Sequence, residues 1–152
     1  MSKRGYSQLR KGRFSELNRV YFVTAVTQNR RVVFDDLALG RTLVHALVTE
    51  QSRGELHSLA FVVMPDHLHW LVQLKNGADL SRCIQRTKSC SARKLNAQLG
   101  RAGRFWQKGF HDHALREEED LVNFARYLVA NPLRAGLVAS VRDYPLWDAI
   151  WV

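Results

Sequence analysis

The chain has few cysteines and no long apolar run. Its two cysteines, Cys83 and Cys90, lie seven residues apart without a Cys-x-x-Cys motif, which argues against a disulfide framework or a zinc knuckle. No uncharged apolar run approaches the roughly 18 residues that a membrane helix needs, and no apolar stretch typical of a signal peptide follows the basic residues 1–13. We therefore expect free thiols, no membrane partner and a cytoplasmic location.

Acidic residues are missing from residues 81–108, which hold eight basic ones, and residues 1–31 hold eight basic residues and one acidic residue. The rest of the chain is net acidic, so the formal charge of +9 comes from these two segments. This pattern is typical of proteins that bind a polyanion, and interleaved aromatic side chains such as Trp106 could stack on unpaired bases. The alternative is a solvated helix face with a basic arm.

The sequence also lacks repeats, low-complexity tracts and an internal linker. With 152 residues, of which 46% are hydrophobic, the chain has the size and composition of one folded domain. We expect a single domain over residues 1–152, with a basic arm over residues 1–19 and a C-terminal tail, residues 141–152, that packs back onto it.

Hydrophobic periodicity predicts three strands, a fourth near residues 110–116, and three helices. The three strands cover residues 20–27, 56–64 and 67–74; two helices cover residues 37–53 and 80–99, and the third begins within residues 117–120. This order, β-α-β-β-α-β followed by a helix, is typical of an α+β, ferredoxin-like (split βαβ) fold. We expect an antiparallel sheet with helices packed on one side and an extra C-terminal helix.

Two histidines, His67 and His69, alternate with apolar residues in the third strand and therefore point to the same face of the sheet. Two neutral imidazoles at this spacing can chelate one divalent ion, although a histidine pair without a metal is also common. Trp70 and Leu71 follow, and not the Asp and His of a metallo-hydrolase motif. A second pair, His111 and His113, could form hydrogen bonds at a strand end or contact a phosphate.

The third helix carries a polar stripe beside its apolar one. Tyr127 and Asn131 lie one turn apart on this stripe, and Pro132 predicts that the helix ends or bends at Asn131. A helix end near the sheet could present a phenol and an amide oxygen to an ion held by the histidines. The alternative is an amphipathic tyrosine at a helix surface.

Three segments together resemble the REP-associated tyrosine transposases, which belong to the single-tyrosine HUH transposases. They are Met64-Pro65-Asp66-His67-Leu68-His69, Phe105-Trp106-Gln107-Lys108-Gly109-Phe110-His111-Asp112-His113, and Tyr127-Leu128-Val129-Ala130-Asn131-Pro132-Leu133-Arg134-Ala135-Gly136.

The resemblance implies a role for four residues. His67 and His69 match the metal-binding pair, Tyr127 matches the nucleophile, and Asn131 matches a third side-chain ligand. It also implies a Mg²⁺ or Mn²⁺ cofactor and single-stranded DNA with REP-type palindromic hairpins, which the enzyme cleaves and rejoins through a 5′-phosphotyrosine.

We predict that basic, aromatic and polar side chains from both basic segments contact the DNA, in a protein associated with the nucleoid. A catalytically silent nucleic-acid-binding regulator and a hydrolase that uses water are the alternatives, and the sequence leaves monomer and homodimer open. The predicted DNA-binding residues are Arg10, Lys11, Arg13, Arg82, Arg86, Lys88, Arg93, Arg104, Trp106, Gln107, Lys108, His111 and His113.

Overall fold

The computed structural model describes residues 19–116 and 118–150. The predicted DNA-binding residues Arg10, Lys11 and Arg13 lie outside these ranges. The strands are β1 (Val20–Val26), β2 (Leu56–Met64), β3 (His67–Leu74), β4 (His111–Leu115) and β5 (Trp147–Ala149). The helices are α1 (Leu37–Ser52), α2 (Leu80–Leu99), α3 (Glu118–Val129) and the short α4 (Asn131–Arg134).

The five strands form one antiparallel sheet in the order β4-β1-β3-β2-β5. The first four strands have the order of the ferredoxin-like fold, so the predicted fold class is confirmed. The hairpin between β2 and β3 turns at Pro65 and Asp66, and the carbonyl of Pro65 accepts hydrogen bonds from the backbone of Val33 and Phe34, both at 2.9 Å. These two hydrogen bonds hold the turn in place directly before His67.

Both long helices begin at an aspartate. The side chain of Asp36 accepts hydrogen bonds from two backbone amides of the first turn of α1, and Asp79 accepts one from Ser81 in α2. These caps satisfy amides that have no partner within the helix. The second helix ends at Gly100, whose φ of 65° is a left-handed conformation that favours glycine. The predicted helices, residues 37–53 and 80–99, thus match the observed bounds of α1 and α2 to within one residue.

Two apolar cores lie on opposite faces of the sheet. Helices α1 and α2 cover one face, where Trp70 and Leu43 are fully buried. Helix α3 covers the other face through Leu121, Ala125 and Leu128, which are buried as its periodicity predicted. The extra helix α3 therefore packs on the face of the sheet that α1 and α2 leave uncovered. The face that carries the odd-numbered side chains of β3 looks towards α3.

The C-terminal segment contacts the sheet through β5, which pairs with β2. The Tyr144 hydroxyl donates a hydrogen bond to the carbonyl of Val63, and Leu146 is buried in the core beneath α1 and α2. These contacts extend the sheet by one edge strand. Among the described residues, none of the helices combines the length and the apolar character that crossing a membrane requires.

Candidate active site

The two histidines of β3 point to the same face of the sheet, as the alternation predicted, and this is the face that α3 covers. The intervening Leu68 is buried in the opposite core. The ring centroids of His67 and His69 are 4.7 Å apart, with the rings nearly perpendicular at 77°. Both side chains are half-buried. The strand therefore presents two imidazoles side by side at the border between the sheet and solvent.

Each imidazole has a hydrogen-bond partner at Nδ1. The Nδ1 atom of His67 lies 2.7 Å from an Asp66 carboxylate oxygen, and Nδ1 of His69 lies 2.9 Å from the hydroxyl oxygen of Thr24. Asp66 also accepts a hydrogen bond of 3.1 Å from Arg30. Burial acts to raise the pKa of Asp66, but the hydrogen bonds from His67 and Arg30 outweigh it and the pKa is lowered. The carboxylate is therefore ionised at neutral pH.

His69 is also held by an aromatic ring. Its imidazole stacks on Phe22, with centroids 5.1 Å apart and an interplanar angle of 24°. Burial, followed by the charges of His67 and Arg134, lowers the pKa of His69 from 6.5 to about 4. The side chain is therefore neutral at physiological pH, the form in which an imidazole binds a metal.

Tyr127 lies in the last turn of α3 and is 53% exposed, as its place on the predicted polar stripe indicated. The Arg134 guanidinium carbon lies 3.8 Å from the centroid of its ring. Arg134 also donates hydrogen bonds to the Tyr127 carbonyl at 2.7 Å and to the amide oxygen of Asn131. Tyr127 and Asn131 thus share one cationic neighbour.

A chain of ring contacts and one charge effect relate Tyr127 to the histidine pair. Phe124, one turn before Tyr127 on α3, lies 5.3 Å from Phe22, and Phe22 stacks on His69. The charge of Arg134, whose guanidinium lies over the Tyr127 ring, contributes to the lowered pKa of His69. The phenol, the guanidinium and the imidazoles therefore belong to one side of the molecule.

The two imidazoles and the amide of Asn131 are groups that a divalent transition metal can bind. Because Nδ1 of each ring contacts Asp66 or Thr24, Nε2 is the nitrogen that each ring could offer to a metal, and Arg134 contacts the amide oxygen of Asn131 in this structure. Imidazole favours manganese and later metals over magnesium, which prefers oxygen. If a metal ion replaced Arg134 as the partner of the Asn131 amide oxygen, His67, His69 and Asn131 would form a set of three ligands.

A second group of metal-ligating side chains, Glu50, Glu55 and Cys83, lies at the other face of the sheet. Arg86 pairs with both carboxylates, with a distance of 2.7 Å to Glu50 and a closer contact to Glu55, and Arg53 lies 3.5 Å from Glu50 as a second cation. Burial and the charge of Glu50 raise the pKa of Cys83 to about 11, which disfavours the thiolate that a metal needs. These side chains fit a structural ion pair better than a metal site.

The predicted DNA-binding residues of α2 do not form one surface with the histidines. Arg82 and Arg93 are exposed on a helix that packs over the opposite face of the sheet. Arg86 is paired with the buried Glu50. This hydrogen-bonded ion pair raises the pKa of Arg86 and leaves little net charge for a phosphate. Lys88 donates hydrogen bonds to the carbonyls of Gln107, at 2.8 Å, and Gly109. Arg86 and Lys88 therefore hold protein groups in this structure.

The prediction that Trp106 stacks on bases is wrong for this structure. Its side chain is only 4% exposed, packs in the core with Phe34 and Phe105, and donates a hydrogen bond of 3.0 Å to the Ser91 hydroxyl. Burial of both the ring and its N–H between α2 and the sheet leaves no face for a base. The sequence showed an aromatic residue among cations but not which side of the chain it faces.

Other predicted residues adjoin the histidines. The backbone amide of Gln107 donates to the carbonyl of Val26, at 2.8 Å, and Val26 is the β1 partner of His67. The cations of this loop, Arg104 and Lys108, are exposed. In β4, His111 and His113 are exposed on the same sheet face as the first pair, and the His113 ring lies 5.6 Å from Phe124. Gln107 and the two histidines of β4 thus border the site, and Arg104 and Lys108 are exposed cations of the loop that leads to this border.

Sequence reasoning missed Thr24, Asp66 and Arg134 as members of the site. Asp66 and Arg134 lie inside the motifs quoted above, and Arg134 follows Tyr127 by seven residues, or two helical turns, which could have indicated a shared face. Thr24 has no such signal, because its partner His69 is 45 residues away and meets it only through the pairing of β1 with β3.

Comparison with known proteins identifies the family of this chain. A family model described as "Transposase IS200 like" matches residues 17–130. A protein of Haemophilus influenzae, described as a candidate REP-associated tyrosine transposase, is 32% identical over 98 residues, which are 58% of this chain and 56% of that protein. The REP-associated tyrosine transposase of Escherichia coli is 29% identical over 128 residues, covering 82% of this chain and 73% of that protein. The chain thus aligns with little more than half of the first relative.

Two solved structures are similar in fold. A REP-associated tyrosine transposase bound to a REP hairpin superposes with a TM-score of 0.72 at 27% identity, covering 86% of this chain and 76% of that one. A candidate transposase from Deinococcus radiodurans has a TM-score of 0.52 at 20% identity, covering 71% and 86%, which supports the fold alone. These similarities confirm the resemblance on which the sequence prediction relied.

Proposed function

This chain belongs to the family of IS200-like transposases, and from that membership we propose that it cleaves and rejoins single-stranded DNA beside REP-type hairpins through a covalent bond to Tyr127. The observation that carries the proposal is the joint position of an exposed phenol and two half-buried imidazoles on one side of the sheet, linked by Arg134. The relatives' names, which specify REP-associated transposases, support the DNA substrate.

In this mechanism the Tyr127 oxygen attacks the scissile phosphorus. A phosphorus–oxygen bond forms to Tyr127 and the bond to the 3′-oxygen breaks, which leaves a 5′-phosphotyrosine and a free 3′-hydroxyl once the phenol proton has moved to the departing oxygen or to water. Because one phosphodiester replaces another, a later 3′-hydroxyl can rejoin the strand without ATP.

His67, His69 and Asn131 would hold the Mg²⁺ or Mn²⁺ ion that the family implies. When bound, such an ion neutralises charge on the phosphoryl oxygens and orients the phosphate for in-line attack. Arg134 adds a guanidinium beside the same phenol, where it can pair with a phosphate oxygen once it leaves Asn131. A protonated phenol is a weak nucleophile, so charge stabilisation at the phosphate would assist the attack.

The DNA strand to be cut would approach along the border formed by Gln107, His111 and His113 and along the loop that carries Arg104 and Lys108. Exposed cations and imidazoles there can contact phosphates, and backbone or amide groups can contact bases. Arg82 and Arg93 lie over the other face of the sheet, so they would contact a different part of the hairpin. Such a protein would work at the nucleoid.

A hairpin oligonucleotide with single-stranded flanks, labelled at either end, tests the proposal in the presence of Mn²⁺. We expect a covalent protein–DNA species on a denaturing gel and a labelled product with a free 3′-hydroxyl. Tyr127→Phe should abolish that species and retain binding. Tyr21→Phe, which removes a hydroxyl from a half-buried tyrosine of the opposite core, is the matched control and should react normally.

Two outcomes would contradict this proposal in different ways. Cleavage that persists in Tyr127→Phe would indicate a hydrolase that uses water. Binding that weakens steeply with salt but yields no product with any divalent ion would indicate a silent regulator.

A further inference from the structure

The histidine pair of β3 has two neighbours whose chemistry differs, an acid at one ring and a hydroxyl at the other. We propose that Asp66 and Thr24 are positioning residues. Asp66 holds His67 with Nδ1 protonated and Nε2 free to bind the metal, and Thr24 orients His69 and accepts a hydrogen bond from its Nδ1 once Nε2 binds the metal. This inference rests on the proposed function, because it assigns the ligand atoms of the same site.

Asp66 fixes His67 without ambiguity. An ionised carboxylate can only accept a hydrogen bond, so the contact of 2.7 Å requires a hydrogen on Nδ1 of His67 and leaves the lone pair on Nε2. The backbone of Asp66 is held in place, since its carbonyl accepts hydrogen bonds from the amide of Thr27 at 3.0 Å and from its hydroxyl at 3.1 Å. Thr27 itself is fully buried. The turn thus presets one ligand.

Thr24 leaves His69 adjustable. A hydroxyl can donate or accept, so the contact of 2.9 Å between Thr24 and Nδ1 of His69 is compatible with either neutral tautomer. Binding of a metal at Nε2 selects the arrangement in which Nδ1–H donates to Thr24. The two residues are directly paired across β1 and β3, and Phe22 covers the ring of His69, so the imidazole can change tautomer without moving. The tautomer of His67 is therefore fixed before a metal binds, whereas the tautomer of His69 is selected by the metal.

The direct test is the tautomer state of each imidazole in the metal-free protein, measured by long-range ¹H–¹⁵N NMR above pH 7. We expect His67 in the Nδ1–H form in the wild-type protein. Asp66→Asn has the same shape, but its amide can donate to Nδ1, so His67 should shift towards the Nε2–H form. Arg30→Gln is the matched control, because it removes the other partner of Asp66 and leaves the contact to His67.

Metal affinity provides the second measurement, by titration with Mn²⁺ followed by electron paramagnetic resonance. Loss of an outer partner of a metal-binding histidine typically costs about 10–100-fold in affinity. We expect losses in this range for Asp66→Asn and for Thr24→Val, recovery in Thr24→Ser, and little change in Arg30→Gln. Thermal unfolding of each variant separates this effect from misfolding.

The outcomes distinguish this inference from the proposed function. Unchanged tautomers and Mn²⁺ affinities in folded Asp66→Asn and Thr24→Val, in a protein that still forms the covalent DNA species, would overturn the positioning role alone. The expected shifts in a protein that binds Mn²⁺ but never forms that species would overturn the proposed reaction alone. A wild-type protein that binds no Mn²⁺ would overturn the positioning role as stated.

Discussion

The chain contains the pattern His-x-His twice, and the sheet brings both copies to the same face. Thr24 of β1 pairs with His69 of β3 on one side and with His111 of β4 on the other. Phe22 stacks on His69, contacts Phe124, and through Phe124 is connected to His113. The two pairs are therefore separated by a single strand and share an aromatic border.

Their surroundings differ because β3 lies inside the sheet and β4 lies at its edge. His67 and His69 are half-buried and each has a hydrogen bond at Nδ1. His111 and His113 are exposed, and among residues 19–116 and 118–150 neither has a side-chain hydrogen-bond partner. An identical spacing thus gives imidazoles oriented by hydrogen bonds in β3 and exposed imidazoles without such partners in β4. If the proposed metal site is correct, the neighbours that fix the rings, and not the motif alone, distinguish it.

Removal of each histidine in turn should give the largest effect and tests this comparison directly. His67→Ala or His69→Ala deletes a ligand, so we expect Mn²⁺ affinity to fall by more than the ~10–100-fold typical of an outer partner. His111→Ala and His113→Ala should bind Mn²⁺ nearly as the wild-type protein does. Calorimetric titration of all four variants measures the difference. Equal losses for the two pairs would show that β4 also supplies ligands.

The second test uses the pH dependence of folding in the metal-free protein. The pKa of His69 is about 4 in the folded chain and about 6.5 when unfolded, so the unfolded state binds more protons between these values. Stability should therefore fall as the pH decreases from 6.5 to 4, and this contribution should be fully lost below pH 4.

Urea denaturation from pH 7.5 to 4.5 measures this slope. His69→Gln should flatten it, whereas His113→Gln keeps His69 in place and should retain it. The explanation fails if the two variants show the same slope.

The smallest expected effect concerns the second pair and DNA. If His111 and His113 contact phosphate or base groups, each lost hydrogen bond should weaken hairpin binding about 2–10-fold. The double alanine variant should still form the covalent species at saturating DNA, because neither side chain touches the proposed nucleophile. Fluorescence anisotropy at fixed salt measures the affinity. Unchanged binding would restrict the DNA border to the cations of the preceding loop.

Most of the fold could be predicted because its signals are local. Apolar alternation in residues 67–74, the helical stripe of α3 and the break at Pro65 and Asp66 each depend on neighbours a few residues away. The fate of individual polar and aromatic residues could not be predicted in the same way. The sequence around Trp106 predicts an exposed aromatic residue among cations, yet its ring packs in the core and its N–H donates to Ser91. Arg86 is predicted to bind DNA, yet it pairs with Glu50, 36 residues earlier in the chain.

The sequence by itself determined the order of the first four strands and the three longer helices, the common face of His67 and His69, and the polar stripe that carries Tyr127, but not the short α4 or the edge strand β5. Only the tertiary structure decided that α3 covers that same face, that Thr24 meets His69, and that the cations of α2 lie over the opposite face. The physical reason is that periodicity sets the direction of a side chain within its own element, whereas its partners depend on pairings between segments that are far apart in the chain.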